Sequence, residues 1–223
     1  MLIFHTGEMQ NKSKAYGELP VSIGIYEVGQ TEMMFTQYLP IKLSGSVEVV
    51  YDARFLPYKH LIDIALFSYL REYGYGKYRE VYVYLTAKNM YQSDSNKFNR
   101  EGYHSDGFLT DDVNYIWSDC HPTVFNNSLY NLSLDDKLSL SEMSLQSDPL
   151  KEIVYENNSL LRLNQYCIHK VGNKYNARMR NFLKISISAD KYDLEGNSHN
   201  YLLDYNWKMK KRKLERNIPQ SKI

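Results

Sequence analysis

Cysteine is nearly missing from this chain of 223 residues, with only Cys120 and Cys167 present, so a disulfide framework is excluded. No C-x-x-C pair exists to build a structural zinc site, and a reducing compartment is the expectation. Long apolar runs are missing too. No stretch approaches the ~18 apolar residues of a membrane span, and the start from Met1 to Glu8 has neither the basic end nor the apolar run of a signal peptide. A soluble cytoplasmic protein with no membrane contact is therefore expected. Nor is there charge of one sign: 27 Lys plus Arg face 26 Asp plus Glu, which excludes a strongly basic nucleic-acid binder and leaves any basic patch local. There is no internal repeat. A chain of this length can bury roughly 70% of its unfolded surface, so a single domain over residues 1–206 is the simplest organisation.

What the chain has in excess is tyrosine, 21 residues against 8 Phe and 2 Trp. Tyrosine favours strands and lines pockets that are apolar in body and hydrogen-bonding at the tip. Short β-rich runs at 21–28, 33–43 and 46–51, punctuated by Gly29, Pro40 and Gly45, predict an antiparallel meander. From Pro57 to Tyr73, Leu61, Ile62, Ala65, Leu66, Tyr69 and Leu70 recur at spacings of three and four, one face of a helix, with Gly74 and Gly76 to stop it. Residues 79–86 alternate strictly. Val81, Val83 and Leu85 share one strand face, and Tyr82, Tyr84 and Thr86 the other, a polar aromatic face suited to a pocket.

Further strands are expected at 113–117, 122–125, 151–155, 160–171 and 178–188. Between them, residues 126–149 are rich in Asn, Ser and Leu and read as an insertion or lid. The last stretch, 207–223, is a basic tail in which residues 208–216 carry six cations and one Glu. A solvated extension is the plain reading of such a run, and a weak accessory contact to nucleic acid the functional one.

The chemistry centres on Tyr103-His104-Ser105-Asp106-Gly107-Phe108. On an extended strand, His104 and Asp106 point to one side and offer an imidazole and a carboxylate to the same point. His169 supplies a third donor, 63 residues after Asp106, and Arg178 and Arg180 follow it in a β-like run. Two His and one carboxylate on one side of an iron form the facial triad of non-haem Fe(II) oxygenases.

This ordered set, His104-x-Asp106, His169, then Arg180-Asn-Phe-Leu-Lys-Ile with Ser186 and Ser188, resembles the Fe(II)/2-oxoglutarate-dependent dioxygenase superfamily. Its phytanoyl-CoA-hydroxylase and prolyl-hydroxylase-like branches are the most similar, over roughly residues 78–190. The resemblance implies a mainly β, double-stranded β-helix (jelly roll) with a bracing helix and an N-terminal β-rich extension. It also implies Fe(II) on His104, Asp106 and His169, 2-oxoglutarate held by Arg180 and by the Tyr84 hydroxyl, and hydroxylation of an unidentified substrate with release of succinate and CO2. Arg180 is chosen over Arg178 because it leads directly into the hydrophobic strand.

Each residue also has a plainer reading. His104 and Asp106 can be a hydrogen-bonded surface pair, and Tyr84 a core tyrosine with an internal partner. Asn89, Tyr115 and Trp117 are lesser candidates for the pocket wall. Cys120 and His121 are adjacent and would point apart on a strand, which argues against a zinc site. Cys167 shares a face with His169 and lines the cavity or packs as a small hydrophobe. His5, His60 and His199 have no constellation around them. Two other classes of function compete: a non-catalytic jelly roll for binding or structure, and a zinc enzyme using the same triad, which would have no need of the forked cation of Arg180.

Overall fold

The computed structural model describes residues 15–95, 101–172 and 176–212. In chain order these form β1 (Val21–Ile25), β2 (Met34–Lys42), α1 (Lys59–Glu80), β3 (Tyr82–Gln92), β4 (Val113–Ser118), β5 (Val124–Asn126), α2 (Leu138–Gln146), β6 (Glu152–Val154), β7 (Ser159–Leu163), β8 (His169–Lys170) and β9 (Arg178–Ser188). The chain is mainly β. A six-stranded sheet has the order β1-β7-β4-β9-β3-β2, and a three-stranded sheet the order β6-β5-β8, with every strand pair antiparallel. Among the described residues, no helix is long and apolar enough to cross a membrane.

The centre of the large sheet is β3 against β9, in unbroken register from Tyr82 opposite Ser188 to Gln92 opposite Arg178. Because side chains alternate across a strand, this one ladder makes two different surfaces. Val83, Leu85 and Ala87 of β3 join Leu183, Ile185 and Ile187 of β9 in a core with Leu61, Ile62, Ala65 and Tyr69 of α1. On the other face, Ile116, Leu161, Leu163 and Phe182 meet Phe125 of the small sheet in a second core. The small sheet therefore covers the face opposite α1.

Several expectations change. The N-terminal runs do not form a meander: β1 pairs with β7 and β2 with β3, at opposite edges of the large sheet. Residues 46–51 form no strand. Apolar alternation marks a strand but carries no information about its partner, so the long-range pairing was not readable. The run 160–171 is two strands, because the Asn164 side chain accepts from the Tyr166 amide and makes a turn. The predicted stop at Gly74 is a break inside α1, with φ 79°, after which helix resumes to Glu80. A second helix, α2, occupies the insertion and buries Met143 and Ser139. Of the basic tail, residues 207–212 fold back on the chain: Trp207 packs edge-on to Tyr82, and Lys210 pairs with Asp193 at 2.8 Å. Residues 213–223 lie outside the described residues, as does His5.

Leu85 is fully buried between the sheet and α1. Leu85→Ala should cost about 2–5 kcal/mol through lost burial and the cavity left behind. Urea unfolding should show a lower midpoint with an unchanged slope. A loss below about 1 kcal/mol, typical of a surface change, would contradict the packing described.

Candidate metal centre

The strand-like stretch 103–106 is fixed from both sides by its own alternation. Tyr103 and Ser105 turn outward: the Tyr103 hydroxyl donates to Glu152 Oε1 at 2.6 Å, and the Ser105 hydroxyl donates to the Gln165 carbonyl. His104 and Asp106 are thereby turned inward. The His104 and His169 backbones exchange two hydrogen bonds, each 2.9 Å, so a residue that begins one edge of the small sheet stands beside the distal histidine. Their ring centroids are 4.5 Å apart. Gly107, with φ +72°, turns the chain immediately after Asp106, and a Cβ there would sit 2.7 Å from Thr110 Oγ1.

His104, Asp106 and His169 each offer one ligand atom, all within 4.8 Å of one another. The imidazoles are oriented by backbone. Nδ1 of His104 lies 2.9 Å from the Gly102 carbonyl, and Nδ1 of His169 lies 2.9 Å from the Cys167 carbonyl. A carbonyl oxygen only accepts, so each Nδ1 carries its proton and each Nε2 keeps a lone pair, the arrangement that metal-ligating histidines use. Nε2 of His169 is 3.7 Å from Asp106 Oδ2. Donors on one octahedral face, with bonds of about 2 Å, lie about 3 Å apart, so the set could hold a divalent ion once separations of up to 4.8 Å close by up to about 2 Å.

Electrostatics favour the ligating forms. Burial pushes the Asp106 carboxyl up, but Lys184, His169 and His104 outweigh it and hold the group well below the usual carboxylate range. Burial pushes His169 down against the pull of Asp106, which keeps the imidazole neutral.

The ion pair that dominates the site was not anticipated: Lys184 Nζ is 2.9 Å from Asp106 Oδ2 and also donates to the Tyr38 hydroxyl at 3.2 Å. Burial pushes the Lys184 ammonium down, while Asp106 and Tyr38 more than compensate and raise its pKa. The sign is clear for both partners. The depressed Asp106 contributes stability that is complete above its unfolded value and lost in acid. The raised Lys184 contributes stability that is complete below its unfolded value and lost in strong alkali, so the pair persists through the neutral range.

Two more cations share this face. Burial, with the nearby charges of Lys184 and Arg180, pushes Lys88 down to about 8. Arg180 is buried on β9, with Nε donating to the Cys120 carbonyl at 3.1 Å. Lys184, Lys88 and Arg180 thus lie close enough on this face to act on one another electrostatically.

The other sequence candidates lie elsewhere. The Tyr84 hydroxyl donates to the Asp190 carbonyl at 3.0 Å and accepts from the Tyr192 amide at 2.9 Å, so it ties down residues 190–192 and is not brought to the triad. Tyr115 and Trp117 point the opposite way, into the core with α1, and Asn89 donates to the Glu32 carbonyl at 2.8 Å. They are not pocket wall, because they fall on the odd face of their strands. Arg178 is exposed at the strand end. Cys167 packs between the sheets, while Cys120 donates to the Met179 carbonyl and His121 faces Gln92 at 3.1 Å, so no zinc set forms there. Lys184 was missed although Arg180 and Lys184, four apart, share a face of β9; the signal was parity. Tyr38 had no signal, because a bulge in β2 and a positive φ of 48° place it.

Asp106→Ala should weaken binding of a divalent ion by more than about 100-fold, judged against the 10–100-fold that supporting groups alone command. It should also cost about 3 kcal/mol of stability, because Lys184 is left as a buried charge without its partner. Adding Lys184→Met should restore stability but not metal affinity. Calorimetric titration and urea unfolding of the single and double variants check this, and restored metal binding in the double variant would refute the ligand assignment.

No family model matches the chain, and no curated protein or solved structure matches it, so the reading of this centre rests on its own geometry.

Proposed function

We propose that this protein is an Fe(II)- and 2-oxoglutarate-dependent oxygenase, hydroxylating a substrate not yet identified, on a double-stranded β-helix fold. The observation that carries the reading is the convergence of His104, Asp106 and His169, drawn from two distant stretches, with both imidazoles turned to present Nε2. Strand order supports the fold. From β3 onward the chain passes to the small sheet at His104, back at β4, across at β5 and β6, back at β7, across at β8 and back at β9. Seven strands, β3 to β9, and the single bridge at His104 thus alternate between two sheets, and this alternation supports a jelly-roll reading.

The chain's own groups have separable parts. His104 and His169 would hold the ion through neutral nitrogens, and Asp106 would supply its one anionic oxygen. Metal and 2-oxoglutarate, when bound, supply the oxidising chemistry, in which O2 is consumed, the co-substrate leaves as succinate and CO2, and the substrate gains a hydroxyl. Arg180 offers the permanently charged fork that a remote carboxylate requires, with Lys88 beside it. A dication taking up Asp106 would displace the Lys184 ammonium, which would then add its charge to those of Arg180 and Lys88.

The Lys184–Asp106 pair also favours a second reading, a jelly roll without turnover in which the ammonium permanently neutralises the carboxylate. Anaerobic addition of Fe(II) and 2-oxoglutarate separates the two. Oxygenase function predicts a weak visible charge-transfer band, followed by succinate when O2 is admitted. Absence of both would leave the non-catalytic reading.

Arg180→Ala should raise the 2-oxoglutarate requirement strongly while leaving Fe(II) binding largely intact. Arg180→Lys should recover only part, and Arg178→Ala should cost much less. Lys88 adds a pH dependence. It is charged below about 8 and neutral above, so 2-oxoglutarate affinity should fall as pH rises through about 8. Lys88→Met should flatten that profile. A 2-oxoglutarate titration in which Arg178 matters more than Arg180, or in which the profile survives Lys88→Met, would overturn these assignments.

A further inference from the structure

The tyrosine excess is not absorbed by the metal centre, yet its placement is ordered. Tyr38 touches the Lys184 ammonium that holds Asp106. Its ring is 5.1 Å from that of Tyr192, which stacks on Tyr84 at 4.2 Å with planes 5° apart. Tyr84 is 6.4 Å from Trp207, directly or through Tyr82 by steps of 6.0 and 5.6 Å. Trp207 is 4.5 Å from Tyr205, which reaches Tyr201 through the His199 ring by two steps of 4.6 Å. Tyr201 is 89% exposed. A continuous path of rings thus runs from the metal centre to solvent.

Packing alone needs hydrophobic contact, which Phe and Leu would give. This path has something more: the Tyr192 hydroxyl donates to Asp112 Oδ2 at 2.6 Å. A phenol loses an electron readily only if its proton can leave with it, and a carboxylate in a short hydrogen bond is a suitable acceptor. Tyr38 lacks that property at its Lys184 contact, because an ammonium cannot take a proton. Trp207 lies under the Lys191 ammonium, 5.5 Å from its ring centre, which disfavours a resting positive charge there and moves the terminus outward.

We infer that the Tyr38–Tyr192–Tyr84–Trp207–Tyr205 path is an electron relay that protects the centre. This rests on the metal reading. The oxidant is the one-electron oxidant formed when a redox metal meets O2 or peroxide with no substrate to consume it. Tyr192 gives one electron toward the centre, across Tyr38, and its phenolic proton to Asp112. A neutral tyrosyl radical and a neutral carboxylic acid result. Exposed Tyr201 then gives an electron inward through the rings of His199, Tyr205, Trp207 and Tyr84 and its phenolic proton to water, Asp112 returns its proton to Tyr192, and a thiol or ascorbate in solution restores Tyr201 by giving it a hydrogen atom.

The test compares full-length protein carrying Fe(II) with protein carrying redox-inactive Zn(II). Both receive stoichiometric hydrogen peroxide without substrate, and oxidised residues are mapped by peptide mass spectrometry. Exposed Tyr75 and Tyr91, off the path, report oxidants loose in solution. The relay predicts Fe(II)-dependent oxidation at Trp207, Tyr205 and Tyr201 severalfold above Tyr75 and Tyr91. It also predicts a tyrosyl signal by electron paramagnetic resonance. Tyr192→Phe keeps the stacked ring but removes the proton, and should suppress distal oxidation severalfold while raising damage near His104 and His169. Trp207→Leu should do the same by interrupting the rings. Distal oxidation no greater than at Tyr75 and Tyr91, or unchanged in both variants, overturns the relay while Fe(II)-dependent damage at the histidines leaves the metal reading standing. No Fe(II)-dependent damage anywhere overturns both.

Discussion

The two-residue period of β9 is the constraint on which the rest depends. Leu183, Ile185 and Ile187 must face α1 to close the main core, and that choice sends Arg180, Phe182, Lys184 and Ser186 to the other face. A shift of one residue would turn the leucine and isoleucines toward Asp106 and bury the cations against the helix. The fold is therefore strongly selected for the register that puts Lys184 against Asp106. Stability of the helix-side core and polarity of the interior are two consequences of one alignment.

A charge taken out of water is costly unless it is paired, and here the pairing is asymmetric. Asp106 is held chiefly by Lys184, with His169 and His104 adding to it, and Lys88 feels the same carboxylate more weakly. Such a site would gain from an anion, because each added negative charge offsets a desolvated cation. It would gain from a dication only if the ammonium on Asp106 moves away. On the proposed reading, metal and anion would reinforce each other: a metal would free Lys184, and the freed ammonium would be best satisfied by an incoming carboxylate. A dicarboxylate co-substrate fits that coupling better than a neutral ligand or water alone.

Much of this was legible in the chain and some was not, for physical reasons. His104 and Asp106 share a side because a strand alternates, and His169 lies beside them, where the resemblance implied a third donor. The helix face at Leu61, Ile62, Ala65, Leu66 and Tyr69 packs as its period required. Parity gives the residues that share a face but not the identity of that face, so Tyr115 and Trp117 were assigned to the wrong side. Edge partners were hidden for a related reason: β1 and β2 are each self-consistent strands, and only the long-range ladder decides that they lie at opposite ends of the sheet. Lys184 was read as part of a hydrophobic strand because its partner is 78 residues away.

Tyr38 joins these threads. A non-glycine residue with φ 48° is held in a conformation costing of order 1 kcal/mol or more, and it persists only where its surroundings over-determine it. Three contacts do so: its amide donates to Thr86 Oγ1 at 3.0 Å, its hydroxyl accepts from Lys184, and its ring meets Tyr192 edge-on. The bulge in β2 thus turns an edge-strand residue inward. The inner face of β3 then divides by depth: Thr86 and Lys88 attend the charged centre, whereas Tyr82 and Tyr84 receive the returning segment through Tyr192 and Trp207. Because Tyr38 contacts both halves, displacement of Lys184 from Asp106 must alter the hydroxyl contact that helps hold Tyr38 in place. Ligand binding at the proposed centre would in this way be coupled to the packing of residues 190–207, with no backbone hinge required.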